Sequence, residues 1–345
     1  MGEASEPSAA TVAQLARRCG VSAVTVSRAL RGDRAVAAAT RQRVLQAAEA
    51  AGYRPRVRMG RPRAAAADRP AIDVVLGMGF HTVYYSVLLA AIEGALAERA
   101  CDCLVRAVNG EYAGFLRLCE RLRAAPEAPT LLVGYLPLAQ VRTLLDVRPR
   151  ALLVDHTGDP RLAVPYASIG FDNAEAARMM IRHLMEGGCR RILLLTGVAD
   201  HFFSRDIEQG YRDVLAEAGT PLDPALIRKT DFTPSGAVEA LRTAWSAGVA
   251  FDAVFANDEM AVAALWALRN KGIRVPAEVA VGGCDGLPFG PYCEPPLSTV
   301  RLDPVRLGRL AVAQALDFQR ASDLSARVRL LPQLEVRAST RPKTG

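Results

Sequence analysis

Long apolar runs are missing from this chain of 345 residues. None approaches the roughly 18 consecutive residues that a membrane-spanning helix needs, so no membrane partner is expected. Histidine is scarce, and His81, His156, His183 and His201 are too scattered to make a metal cluster. The seven cysteines are odd in number and form no C-x-x-C pair; the nearest two are Cys101 and Cys103. A disulfide scaffold is excluded, no metal site is expected, and the thiols read as cytosolic. The opening segment MGEASEPSAATVAQ has neither a basic n-region nor an apolar h-region. No secretory signal is expected from it, and the location expected is the cytoplasm.

Lysine is absent from residues 1–70, and acids are few there. This stretch holds thirteen arginines against five acids, a balance of +8, within a chain whose net charge is +7. The other 275 residues therefore sum to −1. Such an asymmetry indicates a basic module attached to a near-neutral body. Half of the residues are apolar and 23% are charged, which excludes global disorder. At ~150 residues per domain, the length predicts two or three domains with ample core.

In the basic module, TVAQLARRC (11–19) has Val12, Leu15 and Ala16 at the spacing of a short one-sided helix, capped by Thr11 or Ser8. Gly20 breaks that pattern, and Ser22 is a good N-cap for a second helix, SAVTVSRAL. A third follows at about 39–51, with Val44, Leu45, Ala48 and Ala51 on one side, stopped by Gly52 and Pro55. Two short helices joined by a tight Gly turn are the helix-turn-helix pattern. The second helix carries what a major-groove reader needs: the hydroxyls of Ser22, Thr25 and Ser27 for phosphates, Arg28 for a guanine edge or a phosphate, and Ala23 and Val24 for thymine methyls. The bland alternative is a three-helix bundle with a solvated basic face.

Residues 11–55 resemble the DNA-binding headpiece of the LacI family of bacterial regulators. The matching elements are T-V-A-x-L-A, G-V-S-x-x-T-V-S-R-x-L, T-R-x-R-V and G-Y-x-P. One departure is Ala37-Ala38-Ala39, where the family usually caps the third helix with Ser or Thr; the missing cap weakens that helix end by ~1 kcal/mol. The following segment RPRVRMGRPR (54–63) has five arginines and no acid. The resemblance implies a hinge helix there that inserts a Leu into the minor groove. Gly60 and Pro62 oppose a continuous helix, and no Leu is present. Gly60-Arg61-Pro62 instead resembles the core of an AT-hook, an extended element suited to a narrow minor groove. A flexible basic tether is the other reading. The candidate DNA contacts are Thr11, Ser22, Ala23, Val24, Thr25, Ser27, Arg28, Arg31, Tyr53, Arg56, Arg58, Arg61 and Arg63.

From Ala71 the pattern alternates strand and helix: strands at 72–76, 103–108, 130–133, 151–154, 192–196, 253–256 and 279–282, and helices at 86–99, 114–123, 174–186, 205–219, 236–247 and 259–272. Repeated β-α units imply parallel sheets covered by helices on both faces, with ligands bound beyond the carboxyl ends of the strands. A dinucleotide enzyme is a competing reading, because Gly77-Met78-Gly79 follows a strand. Thr82 stands where the fingerprint needs its third Gly, and the second strand ends in Asn109-Gly110 with no acid. No catalytic spacing stands out, so neither an enzyme nor a cofactor is expected.

The body is also similar to the LacI-type effector domain, itself like the periplasmic sugar-binding proteins. The stretches that carry this are SIGFDNAEA (168–176), SRDIEQGY (204–211), FANDEMA (255–261), RVPAEVAV (274–281), GCDG (283–286) and PPLSTVR (295–301). Cys284 and Gly286 depart from the family's G-F-D-D, as do His81, Tyr84 and Tyr85 from its Asn-Pro-Phe-Phe. The resemblance implies two lobes joined by crossovers near 168–172, 300–303 and 330–332. Polar groups at strand ends and aromatic covers make Tyr85, Asp155, Arg205, Phe232, Asn257 and Asp285 the candidate ligand contacts, with Asp258 read as a helix N-cap.

The expected protein is thus α/β: an N-terminal three-helix helix-turn-helix headpiece (1–53), a basic linker (54–70) and a two-lobed, periplasmic-binding-protein-like body with parallel sheets (71–345). Lobe one would comprise about 71–170 with 303–330, and lobe two about 171–300 with 331–340. The expected function is a transcription regulator, a repressor, bound as a homodimer to a pseudo-palindromic double-stranded DNA operator and controlled by a carbohydrate-like effector. The competing readings are a solute-binding protein and a nucleotide-dependent enzyme. No heptad tail follows Val336, so a coiled-coil tetramer is not expected.

Overall fold

The computed structural model describes residues 11–30, 36–51, 53, 69–77, 82–108, 112–124, 128–156, 158–318 and 326–341. The chain divides into two units, Met1–Asp68 and Arg69–Gly345.

In the first unit, α1 spans Val12–Cys19, α2 Ala23–Leu30 and α3 Ala38–Ala50. Thr11 caps α1 in a reciprocal box: its Oγ1 accepts from the Gln14 N–H, and its own N–H donates to Gln14 Oε1 at 2.7 Å. Gly20 ends α1 in the left-handed region at φ 61°, returning its N–H to the carbonyls of the last turn. That conformation costs an L-residue roughly 1–2 kcal/mol, which is why Gly makes the tight turn into α2. Ser22 then accepts the Thr25 N–H at 3.1 Å and caps α2. At α3, Ala37 offers no side-chain cap, as its sequence requires. Leu15, Val26 and Val44 are wholly buried and, with Cys19, Ala29, Val36 and Ala48, make a core of their own. Leu45, read with the packed side of the third helix, is 48% exposed; Val44 takes the inward position.

The second unit begins with β1 (Ala71–Leu76), α4 (Val83–Ala97), β2 (Asp102–Ala107), α5 (Tyr112–Arg123), β3 (Thr130–Val133), α6 (Leu138–Val147), β4 (Leu152–Val154) and β5 (Ala167–Phe171). It continues with α7 (Asn173–Glu186), β6 (Ile192–Thr196), α8 (Phe202–Glu217), β7 (Ile227–Lys229), α9 (Pro234–Ser246), β8 (Ala253–Phe255), α10 (Asp258–Asn270) and β9 (Ala280–Asp285). Last come β10 (Ser298–Arg301), α11 (Pro304–Phe318), β11 (Arg327–Leu330) and β12 (Gln333–Glu335). The strands form two six-stranded sheets, ordered β11-β5-β4-β3-β1-β2 and β12-β10-β9-β8-β6-β7. All pairs in the first sheet are parallel. The second is parallel except where β12 runs antiparallel to β10. The chain passes from one sheet to the other after β5, after β10 and after β11.

Strands β3, β4, β5, β6, β8 and β9 are buried along their whole length, which is why they read as continuous rather than alternating apolar runs. Fully burying one Leu or Ile contributes roughly 1.5–3 kcal/mol, so these strands and the helix faces over them hold both sheets rigid. Beneath the first sheet, Asp73 accepts from Arg106 Nε at 2.5 Å and from Arg148 Nη2 at 3.0 Å, with Arg148 only 2% exposed.

Several boundaries differ from the periodicity reading, and the capping residues explain most of them. Helix α4 begins three residues earlier because Thr82 accepts the Tyr85 N–H. Helix α8 begins at Phe202 because the His201 side chain caps it. The cap of α10 is Asn257, whose side chain accepts the Met260 N–H at 3.0 Å; Asp258, read as the cap, is the first helical residue and turns inward. Helices α6 and α11 fall outside the elements that periodicity picked out.

Candidate functional site

The first candidate surface is α2. Ser22, Ala23, Val24 and Arg28 face solvent, Thr25 and Ser27 are half-buried, and Val26 and Ala29 face the core. Val24 is 62% exposed on this face. Short hydroxyls, small apolar groups and one guanidinium on an accessible face are the groups that contact phosphates, thymine methyls and base edges. Thr11 is exposed beside this turn as the cap of α1. Tyr53 is half-buried against the headpiece core, where its N–H donates to the Ala48 carbonyl at 2.9 Å. Arg31, Arg56, Arg58, Arg61 and Arg63 lie outside the described residues.

The second is a cavity of about 250 Å³ between the two sheets of the body. It lies at the carboxyl ends of strands from both, where an α/β sheet opens a crevice. Tyr135 follows β3 and Asp155 follows β4 on one side; Phe232 follows β7, Asn257 follows β8 and Asp285 ends β9 on the other. Tyr85 reaches it from the start of α4. Tyr85, Asp155, Phe232, Asn257 and Asp285 therefore line one cavity. Asp155, Phe232 and Asp285 also hold positive φ, at 60°, 66° and 143°. Backbone strain concentrated at one cavity directs attention to its chemistry. The Phe232 ring needs Gly197 opposite: a Cβ there would sit 2.1 Å from the ring.

Arg205 is the exception. Its guanidinium does not line this cavity; Nη2 donates to Asp159 Oδ2 at 2.9 Å, and both residues line a neighbouring pocket. The closer carboxylate explains the difference. Asp159, beyond β4, also accepts from Arg161, and the two arginines hold its carboxyl far below the usual range, Arg161 foremost. The Arg205–Asp159 pair ties α8, which packs on the second sheet, to the loop after β4 in the first. Tyr135 stacked on His201 at 4.7 Å makes a second tie.

The electrostatics of the cavity are set by burial. Asp155 accepts the Tyr84 hydroxyl on Oδ1 and the Tyr85 hydroxyl on Oδ2, both at 3.0 Å. Burial pushes its carboxyl up to about 7, although the two tyrosine bonds pull the other way. Burial, then the nearby Asp258 and Asp155, holds Asp285 well above the carboxylate range. Asp258, just behind, accepts from Thr299 Oγ1 at 2.6 Å and the Leu287 N–H at 2.7 Å, and burial lifts it to about 6. Burial lowers His201 to about 3, so its ring is neutral at physiological pH.

Tyr84, Tyr135, His201, Phe203 and Asp231 also line the cavity and were not among the candidate contacts. Tyr135 had a usable signal, because it closely follows the end of a strand. The others depend on caps and loops whose convergence requires the two sheets to face each other. Among the described residues there is no group of three His, Cys, Asp or Glu placed to hold a metal ion, and no helix long and apolar enough to cross a membrane.

These features define a helix-turn-helix protein with a periplasmic-binding-protein-like body. Family comparison agrees: residues 11–56 match the lacI family of bacterial regulatory proteins, and 181–340 match the periplasmic binding protein-like domain. The HTH-type transcriptional regulator AscG of Escherichia coli (strain K12) is 30% identical over 299 residues, 85% of this chain and 87% of AscG. The HTH-type transcriptional repressor CytR of the same strain is 28% identical over 344 residues, 97% of this chain and 98% of CytR. A solved complex of the transcriptional regulator CelR with cellobiose superposes with a TM-score of 0.70 at 29% identity, covering 96% of this chain and 99% of that one. The chain belongs to the lacI family of bacterial transcription regulators.

Proposed function

We propose that this protein is a repressor that binds a pseudo-palindromic double-stranded DNA operator as a homodimer in the bacterial cytoplasm, and that a small carbohydrate-like effector in the interlobe cavity controls its affinity. The division of labour is headpiece 1–53, basic linker 54–70 and effector and dimerisation body 71–345. In the body, lobe one comprises about 71–170 with 303–330, and lobe two about 171–300 with 331–340. The carrying observation is the joining in one chain of a solvent-facing α2, bearing Ser22, Val24 and Arg28, to a polar-aromatic cavity at strand ends. The repressor and sugar assignments draw on the repressor CytR and the cellobiose complex of CelR.

Two features support the dimer. Leu104 and Val105 on edge strand β2 are 43% and 56% exposed, and an apolar groove is lined by Val83, Val87, Ala90 and Ala91 of α4 with Val305 of α11. Two copies would place two α2 helices in successive major grooves. An effector that prefers one arrangement of the lobes would shift that arrangement, with reciprocal coupling to DNA affinity. No catalytic role is assigned.

Selection from random duplexes tests the reading. It should return one symmetric site, and Arg28→Ala should lose roughly 10- to 100-fold in selectivity, the ~1–3 kcal/mol of one base contact, with effector binding by the body unchanged. If no site is enriched, or Arg28→Ala keeps full selectivity, the assignment fails.

A further inference from the structure

We propose that the effector is an organic cation: a protonated amine of about monosaccharide size, its ammonium held between Asp155 and Asp285 and its carbon skeleton against the aromatic walls. This rests on the reading that the interlobe cavity holds the effector, and narrows the ligand class within it.

The charge inventory is the first ground. The lining includes Asp155, Asp231, Glu259 and Asp285, and among the described lining residues there is no Lys or Arg. The guanidinium expected there, Arg205, is engaged by Asp159 outside the cavity. An anionic ligand such as a sugar acid or sugar phosphate would find no cationic side chain among these residues and would oppose ionisation of the two buried carboxyls, whereas a cation favours it.

Hydrogen-bond capacity is the second. The hydroxyl protons of Tyr84 and Tyr85 are already given to Asp155. Asn257 Oδ1 is committed to capping α10. An ammonium supplies three donors and no acceptor, which matches what Asp155 and Asp285 accept once their carboxyls ionise. The walls are the third ground. Tyr84 and Tyr85 meet edge to face with centroids 5.3 Å apart, and Phe232, Tyr135 and Phe203 complete the aromatic lining. Aromatic faces attract a desolvated cation and cover an apolar skeleton.

Position supplies the consequence. Asp155 follows β4 of one sheet and Asp285 ends β9 of the other. A single ammonium between them bridges the lobes, so its binding favours the arrangement that brings the two carboxylates together. In the empty cavity burial suppresses their charge, and a bound cation restores it with release of protons to solvent.

The test uses the full-length protein and paired probes: D-glucosamine with D-glucose, 1-amino-1-deoxysorbitol with sorbitol, and putrescine with 1,4-butanediol. Thermal shift and titration calorimetry are read at pH 6 and pH 8. At least one amine should raise the Tm and bind at least tenfold tighter than its hydroxyl counterpart. For 1-amino-1-deoxysorbitol and putrescine, whose alkyl amines stay charged over this interval, affinity should rise at least tenfold from pH 6 to pH 8, because Asp155 ionises near 7. The titratable groups around these carboxyls are the Tyr84 and Tyr85 hydroxyls from α4, Asp258 and Glu259 from α10, Asp231 after β7, the Cys284 thiol of β9, and His201 and Tyr135. The tyrosines in contact with Asp155 titrate well above this window and His201 well below it. Asp285→Asn and Asp155→Asn, each checked for fold by circular dichroism, should each lose the preference for the amine. Neutral compounds that bind as tightly as the amines, or an amine preference surviving in both variants, would overturn the cation and leave the cavity reading standing. If no probe of either class binds, both fall.

Discussion

Val24 on α2 is 62% exposed, while Asp155 and Asp285 in the cavity are 8% and 7% exposed. The headpiece keeps its reactive groups in water, where a large polyanion can reach them, and spends its apolar residues on a small separate core. The body does the reverse. It buries carboxyl and hydroxyl groups at strand ends and holds them against their preferred ionisation with two rigid sheets. A surface reader can therefore be encoded in a few local residues, whereas a buried reader needs the whole tertiary frame.

That contrast can be broken most strongly at Asp73. Asp73→Ala removes the carboxylate that Arg106 and the buried Arg148 share and should destabilise the body by about 2–3 kcal/mol. Trp245 and Trp266, the only two tryptophans in the sequence, both lie in the body, so denaturant unfolding followed by tryptophan fluorescence reports on it alone. An unchanged midpoint would show that the pair contributes nothing to the frame.

The next effect is in pH. Asp155 is raised to about 7 in the fold, from an unfolded value near ~3.9, so the native state holds the extra proton and stability falls as pH rises through that interval. His156 and His201, lowered by burial to about 4 and about 3, act in the opposite sense and cancel when wild type is compared with a carboxyl variant. Between pH 6.5 and 8, Asp155→Asn should gain about 1 kcal/mol on the wild type. Parallel stability profiles for the two proteins would mean that Asp155 is not held protonated by the fold.

The smallest effect belongs to the headpiece. Ala37→Ser restores the missing cap of α3 and should stabilise that helix by ~1 kcal/mol. Amide exchange in its first turn should slow while the fluorescence-monitored unfolding of the body stays in place. A shift in the body instead would deny that the two units hold their cores independently.

Much of the headpiece was legible because its determinants are local. Thr11, Gly20 and Ser22 occupy the positions where capping and a left-handed turn require them, and Val26 and Ala29 mark the buried side of α2. In the body, strand ends announced Asp155, Phe232, Asn257 and Asp285, since a polar or aromatic residue just past an apolar run is visible in one dimension. The Arg205–Asp159 pair was not legible, because Asp159 lies forty-six residues away in sequence, in the loop after a strand of the other sheet. Asp258 looked like a cap because it precedes an amphipathic helix, but Thr299 Oγ1 and the Leu287 N–H draw its carboxylate inward.

By itself the sequence determined which segment is basic, which elements form and which polar groups stand at strand ends, because charge, capping and periodicity act over a few residues. Only the tertiary structure decided that the cleft keeps its acids and yields its arginine to Asp159, and that Tyr84 and Tyr85 both serve Asp155. Those outcomes depend on which of several competing partners two facing sheets bring within bonding distance, and on how completely they exclude the water that would otherwise keep each group at its ordinary charge.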